Sequence, residues 1–477
     1  MNAEEKRVDV NALALDDLEK ATIGQVEKMK VLPLPDAAEF PEGGTRAWLT
    51  VLGAFCINFC GFGYATAFGV YQDYYVREYL SESSPSAISW IGSLNALLGV
   101  SMSLVSGPLY DRGNILSVIY TGCFFQAFSL FILSFCRPQQ LYQILLVQGI
   151  GFGAGLGLTY VPAVAIVSHY FHRRRSLVMA LAQSGVPLGA LIHPILLNNL
   201  LPYSGPAESE AGARGRMSFA NATRVSAGLV TAILVLGCVM VKPRPGFVVK
   251  SPREECEAQA RPSRKGLIVG FWISLKRVWK DRPYVFATVG MVTYVIAFWY
   301  PVFFLQLAAT THGMSDKFAF YVLVIMNGAG LVGRVSSGFI AEIVGVAPAV
   351  TASTAAGTAF VFCFLALKDV GSTVVLAVLG GYFFGFYAAL LPSLLASLTD
   401  DCSELGMRMG LSFTIEGIGG LIGPPICGAL LTSRFIWWRP TLFSGIMGLV
   451  GFSLFAAASM SERRKIAMKK LAAVGCE

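Results

Sequence analysis

Two residues in the apolar part of this chain carry full charges. Arg334 lies inside "YVLVIMNGAGLVGRVSSGF" (Tyr321–Phe339), and Glu416 lies inside "SFTIEGIGG". A guanidinium stays charged under any physiological condition. In hydrocarbon it costs a few kcal/mol or more unless hydrated or paired, so it must face a wet cavity or a partner. Three roles are open to Arg334. It forks onto a carboxylate or electron-rich oxygen of an organic cargo, it pairs with Glu416 as a gate, or it is passive and structural. Counted from the helix centres at about 1.5 Å per residue, both residues fall about one turn to the same side of mid-membrane, so they are expected to share a depth. Glu416 is the candidate proton carrier. Burial and a nearby guanidinium act on its ionisation in opposite directions, and cargo that occupies Arg334 would release Glu416 to take a proton.

Other polar residues sit in apolar runs. Asn58, Asn95, Gln126, Gln148, Gln183 and Asn327 either line a path or hydrogen-bond between helices, with Asn58 and Asn327 as candidate cargo contacts. Tyr160, Tyr387, Phe383 and Trp299 offer an aromatic wall for a flat cargo or belong to the core; Tyr160 and Tyr387 are the candidate contacts. His193, just before Pro194, is either a pH sensor or a satisfied core histidine. Cys56 and Cys60 share a helix face, but no His or carboxylate stands beside them at metal-ligand spacing, so core thiols and no metal are expected. No "GxxxxGK[ST]" phosphate loop and no nucleophile–base set occurs, which argues against direct ATP drive, cofactors and enzymatic catalysis.

The elements that must hold these residues follow from composition. Of 477 residues, 55% are hydrophobic and 14% charged, against about 25% charged in soluble chains. Mean hydropathy is +0.61. A multi-pass membrane protein fits these values. The net charge of +8 does not point to nucleic acid, because the basic residues cluster in short segments between apolar runs, as in loops facing anionic lipid. Twelve runs have the roughly 20 residues a bilayer-spanning helix needs. They lie near 47–72, 88–109, 115–136, 141–168, 176–200 and 222–241, then 283–306, 317–340, 346–367, 372–398, 407–431 and 439–460. The chain therefore divides into a disordered tail (1–43, with a short helix around Asp17–Lys30), a first bundle (44–241), a linker (242–282), a second bundle (283–460) and a basic tail (461–477). The linker segment "GLIVGFWISLKRVWKDRP" has an apolar side and basic ends suited to the membrane surface. With both ends in the cytoplasm, 27 of the 37 Lys and Arg lie in inner segments, nine in outer loops, and only Arg334 in the membrane. That excess fits the positive-inside rule. The sequon at Asn221 would then be external but abuts helix 6, too near the membrane for ready glycosylation.

The two groups of six repeat each other. "NALLGVSMSLVSGPLYDRG" ends helix 2 and "NGAGLVGRVSSGFIAEIVG" ends helix 8; each has Asn, then Ser-Gly, then an acid four residues beyond that glycine, Asp111 and Glu342. Gly151, Gly155 and Pro162 in helix 4 recur at identical spacing as Gly381, Gly385 and Pro392 in helix 10. Helices 5 and 11 carry Gly185/Gly189 and Gly419/Gly423. Such duplication builds transporters that rock about a site near mid-membrane.

On these residues the chain resembles the major facilitator superfamily over nearly all of 44–460. That implies an all-α membrane protein with twelve transmembrane helices in two six-helix bundles. "GPLYDRG" (Gly107–Gly113) is similar to the superfamily's loop between helices 2 and 3, which implies that Asp111 and Arg112, and by repetition Glu342, brace the inner gate. Within the superfamily the chain resembles the monocarboxylate porter family, fungal members especially. "EGGTRAW" (Glu42–Trp48) is similar to the signature opening helix 1, and "YFHRRRSLVMALAQSG" (Tyr170–Gly185) to the stretch leading into helix 5. "NGAGLVGR" and "IGPPICGALL" fit too. Animal lactate porters have a helix 1 lysine where this chain has Thr66, and an aspartate one turn before the helix 8 arginine where it has Gly330. The proton–lactate charge relay is therefore incomplete.

The resemblance implies secondary active transport of a small organic metabolite by alternating access, with the lipid bilayer as a partner and protons as the candidate coupling ion. The missing lysine and the Gly- and Phe-rich helices 4 and 10 favour bulky, partly apolar cargo and efflux of a secondary metabolite or organic acid. Uptake of a monocarboxylate or vitamin-like nutrient is the alternative, and a non-transporting sensor on the same scaffold is another. The plasma membrane is the expected location, with a vacuolar or other internal membrane as the alternative. Oligomeric state is left open.

Overall fold

The structure, a computed structural model, describes residues 42–201, 217–244, 279–399, 404–432 and 435–474. All regular elements among the described residues are helical. Twelve helices are long and apolar enough to cross a bilayer. They are α1 (Thr45–Tyr79), α2 (Ala87–Asp111), α3 (Ile115–Leu133), α4 (Leu141–His169), α5 (Arg175–Leu200), α6 (Phe219–Met240), α7 (Arg282–Thr311), α8 (Tyr321–Val344), α9 (Val346–Ala366), α10 (Val370–Ser397), α11 (Leu405–Leu431) and α12 (Trp438–Lys465). The chain is a multi-pass membrane protein. Its outer surface suits hydrocarbon: α3 alone presents Tyr120, Phe124 and Phe128 outward. The expected helix at 17–30 and most of the 242–282 linker lie outside the described residues.

The expected limits hold within a few residues except at two ends. α1 continues past 72 to Tyr79. Its last turns are polar on one face only, where Arg77 Nε donates to Asp73 Oδ1 at 2.7 Å, while Tyr71, Tyr74 and Tyr75 are buried on the other. The helix of α12 continues through Val474, so the basic tail is helical over 461–474. Lys, Arg, Ala and Leu in that stretch are strong helix formers.

Helices α1–α6 and α7–α12 form two six-helix bundles that meet through two similar joints. Gly107 of α2 lies against Gly406 of α11 so closely that a Cβ there would collide with the Gly406 carbonyl. Gly338 of α8 lies against α5, where a Cβ would come within 2.7 Å of Leu177 Cα. Gly107 and Gly338 are the paired Ser-Gly glycines of the two repeats. Both joints sit at the end of the molecule that carries Arg112, Arg173, Arg174, Arg463 and Arg464, called here the basic end.

Candidate functional site

Arg334 stands on α8 at the interface of the two bundles. Its Nη1 donates to the backbone carbonyl of Gln183 in the other bundle at 3.0 Å, while its Nε is buried without a partner. The local sequence of α5 makes that carbonyl available. The helix breaks at Ser184 and restarts at Gly185. The Gln183 side chain stays in its own bundle, Nε2 donating to Tyr160 Oη at 2.9 Å, and its Oε1 has no partner.

Tyr160 links the two sides. Its ring packs edge-on against Phe62 of α1, with centroids 4.8 Å apart. It packs likewise against Phe413 of α11 at 5.2 Å. Glu416 lies one turn beyond Phe413. Tyr160 is within electrostatic range of both Arg334 and Glu416. Arg334 and Glu416 themselves form no ion pair in this conformation, so the alternative that paired them is not seen here. Equal depth does not fix the direction in which two helices point their side chains. Among the described residues Glu416 has no hydrogen-bond partner. Tyr387 is fully buried against Tyr294, with centroids 4.4 Å apart; its hydroxyl has no partner and lies near Glu416. Trp299 is half-buried beside Gly420 of α11, and Phe383 stacks on Phe360 at 5.5 Å. The centre is thus aromatic, with a guanidinium on one side, a carboxyl on another and several polar atoms uncommitted.

The remaining polar residues divide. Asn95, Gln126 and Gln148 bond between helices: Asn95 Nδ2 to the Gln148 carbonyl at 2.9 Å, Gln126 Nε2 to Thr159 Oγ1 at 2.9 Å, and Tyr75 Oη to Gln148 Oε1 at 2.8 Å. Asn58 and Asn327 instead donate to carbonyls of their own helices, Ala54 at 3.0 Å and Leu323 at 2.9 Å. His193 is fully buried between the rings of Phe59 and Tyr64, with the Phe59 backbone beside its ring. Asn221 is exposed in the first turn of α6.

At the basic end, Asp111 reaches across the interface and accepts two bonds from the first turn of α11: Gly406 N to Oδ1 at 2.8 Å and Met407 N to Oδ2 at 2.7 Å. A carboxylate at a helix N-terminus satisfies orphan N–H groups and opposes the positive end of the dipole. Arg112 and Glu342 are exposed and hold no such position. Ser393 of α10 also bonds Met179 Sδ of α5 at 3.5 Å. These ties run from the level of Arg334 to the basic end, so the site is closed on that side.

Two features escaped the sequence. Arg408, nearly buried in the first turns of α11, donates from Nη1 to Asp281 Oδ2 at 3.0 Å and from Nη2 to Glu404 Oε2 at 3.3 Å. Asp281 also accepts from Lys465 at 3.4 Å, and Tyr284 Oη donates to the Arg408 carbonyl at 2.8 Å. Glu42 Oε1 accepts from the backbone N–H groups of His172 and Arg173 at 2.8 and 2.6 Å, so the two signatures at Glu42–Trp48 and Tyr170–Gly185 are one contact. Trp48 and Phe171 pack edge-on there at 5.4 Å. The signal for Arg408 was an Arg four residues after Glu404; its partner Asp281 is far off in the chain.

Two helical bundles that close at one end over a charged, aromatic centre define a membrane transporter of the two-bundle type. Comparison with known proteins makes the class specific. The chain belongs to the Major Facilitator Superfamily, whose profile matches residues 50–370. It is 32% identical to the aspyridones efflux protein apdF of Emericella nidulans, over 89% of this chain and 80% of that one. It is 31% identical to the fujikurins efflux protein of Gibberella fujikuroi, over 89% and 85%. It is 30% identical to MFS-type transporter 1 of an Ophiocordyceps species, over 91% and 90%. In fold it is similar to the crystal structure of the superfamily transporter FucP in the outward conformation, with a TM-score of 0.62 and 17% identity over 85% of this chain and 98% of that one.

Proposed function

We propose that this protein is a secondary active exporter of a small, oxygenated, partly apolar organic metabolite, working by alternating access between its two bundles. One observation carries the reading: Arg334 lies at the bundle interface with one N–H on the opposite bundle and another uncommitted. A guanidinium so placed holds a cargo oxygen while still sensing which way the bundles are rocked. The aromatic group around Tyr160 supplies a surface for a flat skeleton. Relatives named as efflux proteins for aspyridones, agnestins and fujikurins support export of secondary metabolites.

Within the superfamily the reading places the chain in the monocarboxylate porter branch, supported by the contact between its two signature stretches. Thr66 and Gly330 make it a member without the lactate relay. The basic end faces the cytoplasm, the plasma membrane is the site of action, Asp111 is the gate residue, and Glu416 carries the coupled proton. Glu416→Gln is expected to abolish the dependence of export on a proton gradient; unchanged coupling removes that role.

Metabolite profiling inside and outside deletion cells tests the main reading. A compound retained inside deletion cells, exported again with the wild-type gene but not with Arg334→Ala at equal membrane abundance, is the expected result. Depletion inside would indicate uptake instead. No change of either kind, with normal protein at the membrane, would leave the sensor.

A further inference from the structure

We infer that Pro187 is a positioning residue for Arg334, acting through the backbone of α5. In an α-helix each carbonyl is normally taken by the N–H four residues on. For Gln183 that residue is Pro187, which has no N–H. The helix breaks next to it, at Ser184, and the freed carbonyl takes Arg334 Nη1 across the interface. The tie holds only while α5 and α8 are pressed together near Gly338 and Leu177. The proline thus gives the transporter a latch that uses the cargo-binding guanidinium itself. Where the inference rests on the proposed function, cargo and carbonyl compete for one group, and the uncommitted Nε lets a cargo oxygen engage before the latch opens.

The test needs no cargo. Pro187→Ala supplies the missing N–H and returns the Gln183 carbonyl to its own helix. The reporter is the other joint, where the Gly406 and Met407 amides have the Asp111 carboxylate across the interface as acceptor, so their hydrogen exchange follows separation of the bundles. In the full-length protein in lipid nanodiscs, exchange there is expected to rise about tenfold or more, the scale of losing one bond to a charged group. Pro187→Val and Pro187→Leu are expected to match Pro187→Ala, because only the N–H matters. Combining Pro187→Ala with Arg334→Leu is expected to add nothing beyond Arg334→Leu alone. Wild-type exchange in Pro187→Ala, a response graded by side-chain size, or an additive double variant overturns the inference. Exchange in α9, remote from both joints, is expected to stay at the wild-type rate; a general rise there marks unfolding, and the Val and Leu variants then decide. If Pro187→Ala opens the joint but Arg334→Leu still exports metabolite normally, the latch stands and the proposed function falls.

Discussion

Replacing Arg408 by Met removes the centre of the ion network at the basic end while keeping most of the side-chain volume. Arg408 side-chain exposure is 7%, and that of Asp281 and Glu404 is 13% each. Removing one member of a buried pair leaves an uncompensated charge, which costs about 3–5 kcal/mol. Lys465 remains 3.4 Å from Asp281, which puts the expected loss near the lower figure, about 3 kcal/mol. Lys465→Met is the contrast. Its side chain is 33% exposed, and a pair of that kind contributes about 0–1 kcal/mol. The assay is thermal unfolding in detergent, with a cycle that adds Asp281→Asn. Arg408→Met and Asp281→Asn are each expected to lower the midpoint clearly, and the double variant little further than either alone. Contacting members of one network couple by roughly 0.5–3 kcal/mol. Additive losses, or an Arg408→Met midpoint as high as that of Lys465→Met, would refute the claim that this network holds the start of α11 in place.

Three further outcomes follow from named contacts. Asp111→Ala leaves the Gly406 and Met407 amides without acceptors and is expected to cost the closed state about 1 kcal/mol, as for loss of a helix cap; unchanged hydrogen exchange at those amides would refute it. Asp369 caps α10 by accepting from Ser372 N at 2.8 Å, and the Ser372 backbone and side-chain bonds hold its carboxyl below the ordinary range. Its contribution is present above the ordinary carboxylate pKa and lost as pH falls through the lowered one, so Asp369→Ala is expected to destabilise at neutral pH and to match wild type in strong acid; a difference that persists in acid contradicts this. Asn221 lies in the first turn of a membrane helix, so endoglycosidase treatment is expected to leave electrophoretic mobility unchanged, and a downward shift that Asn221→Gln abolishes would prove it glycosylated.

What the sequence made legible, and what it hid, separates by the range of the interaction. Helix positions are set by apolar length, a local property, so all twelve spans were readable. The two failures at α1 and α12 are amphipathic or basic helix ends, where composition changes but the backbone does not. Arg334 was readable because a permanent charge in an apolar run demands an explanation. Its acceptor was not, because the Gln183 carbonyl is a backbone atom that every residue type carries. The clue lay four residues on, in Pro187, where a proline read as a helix breaker is also a vacancy in the hydrogen-bond ladder.

The basic end shows the same limit from the side of symmetry. Sequence repetition makes Asp111 and Glu342 equivalents, yet only Asp111 reaches the opposite bundle, while Glu342 is exposed. Their neighbours differ. α11 presents Gly406 to Gly107, so two backbones touch and the α11 amides come within reach of a short carboxylate. α5 presents Leu177 to Gly338, with a side chain in the joint. A duplicated sequence therefore yields one polar joint and one apolar joint, and the apolar one carries its polar tie deeper, at Arg334 and Gln183. That asymmetry places a helix cap at the rim of one joint and the Arg334–Gln183 bond behind the other. If cargo binds Arg334 as proposed, drawing it away would loosen the α5–α8 joint first, and the Asp111 cap would then have to yield for the basic end to open.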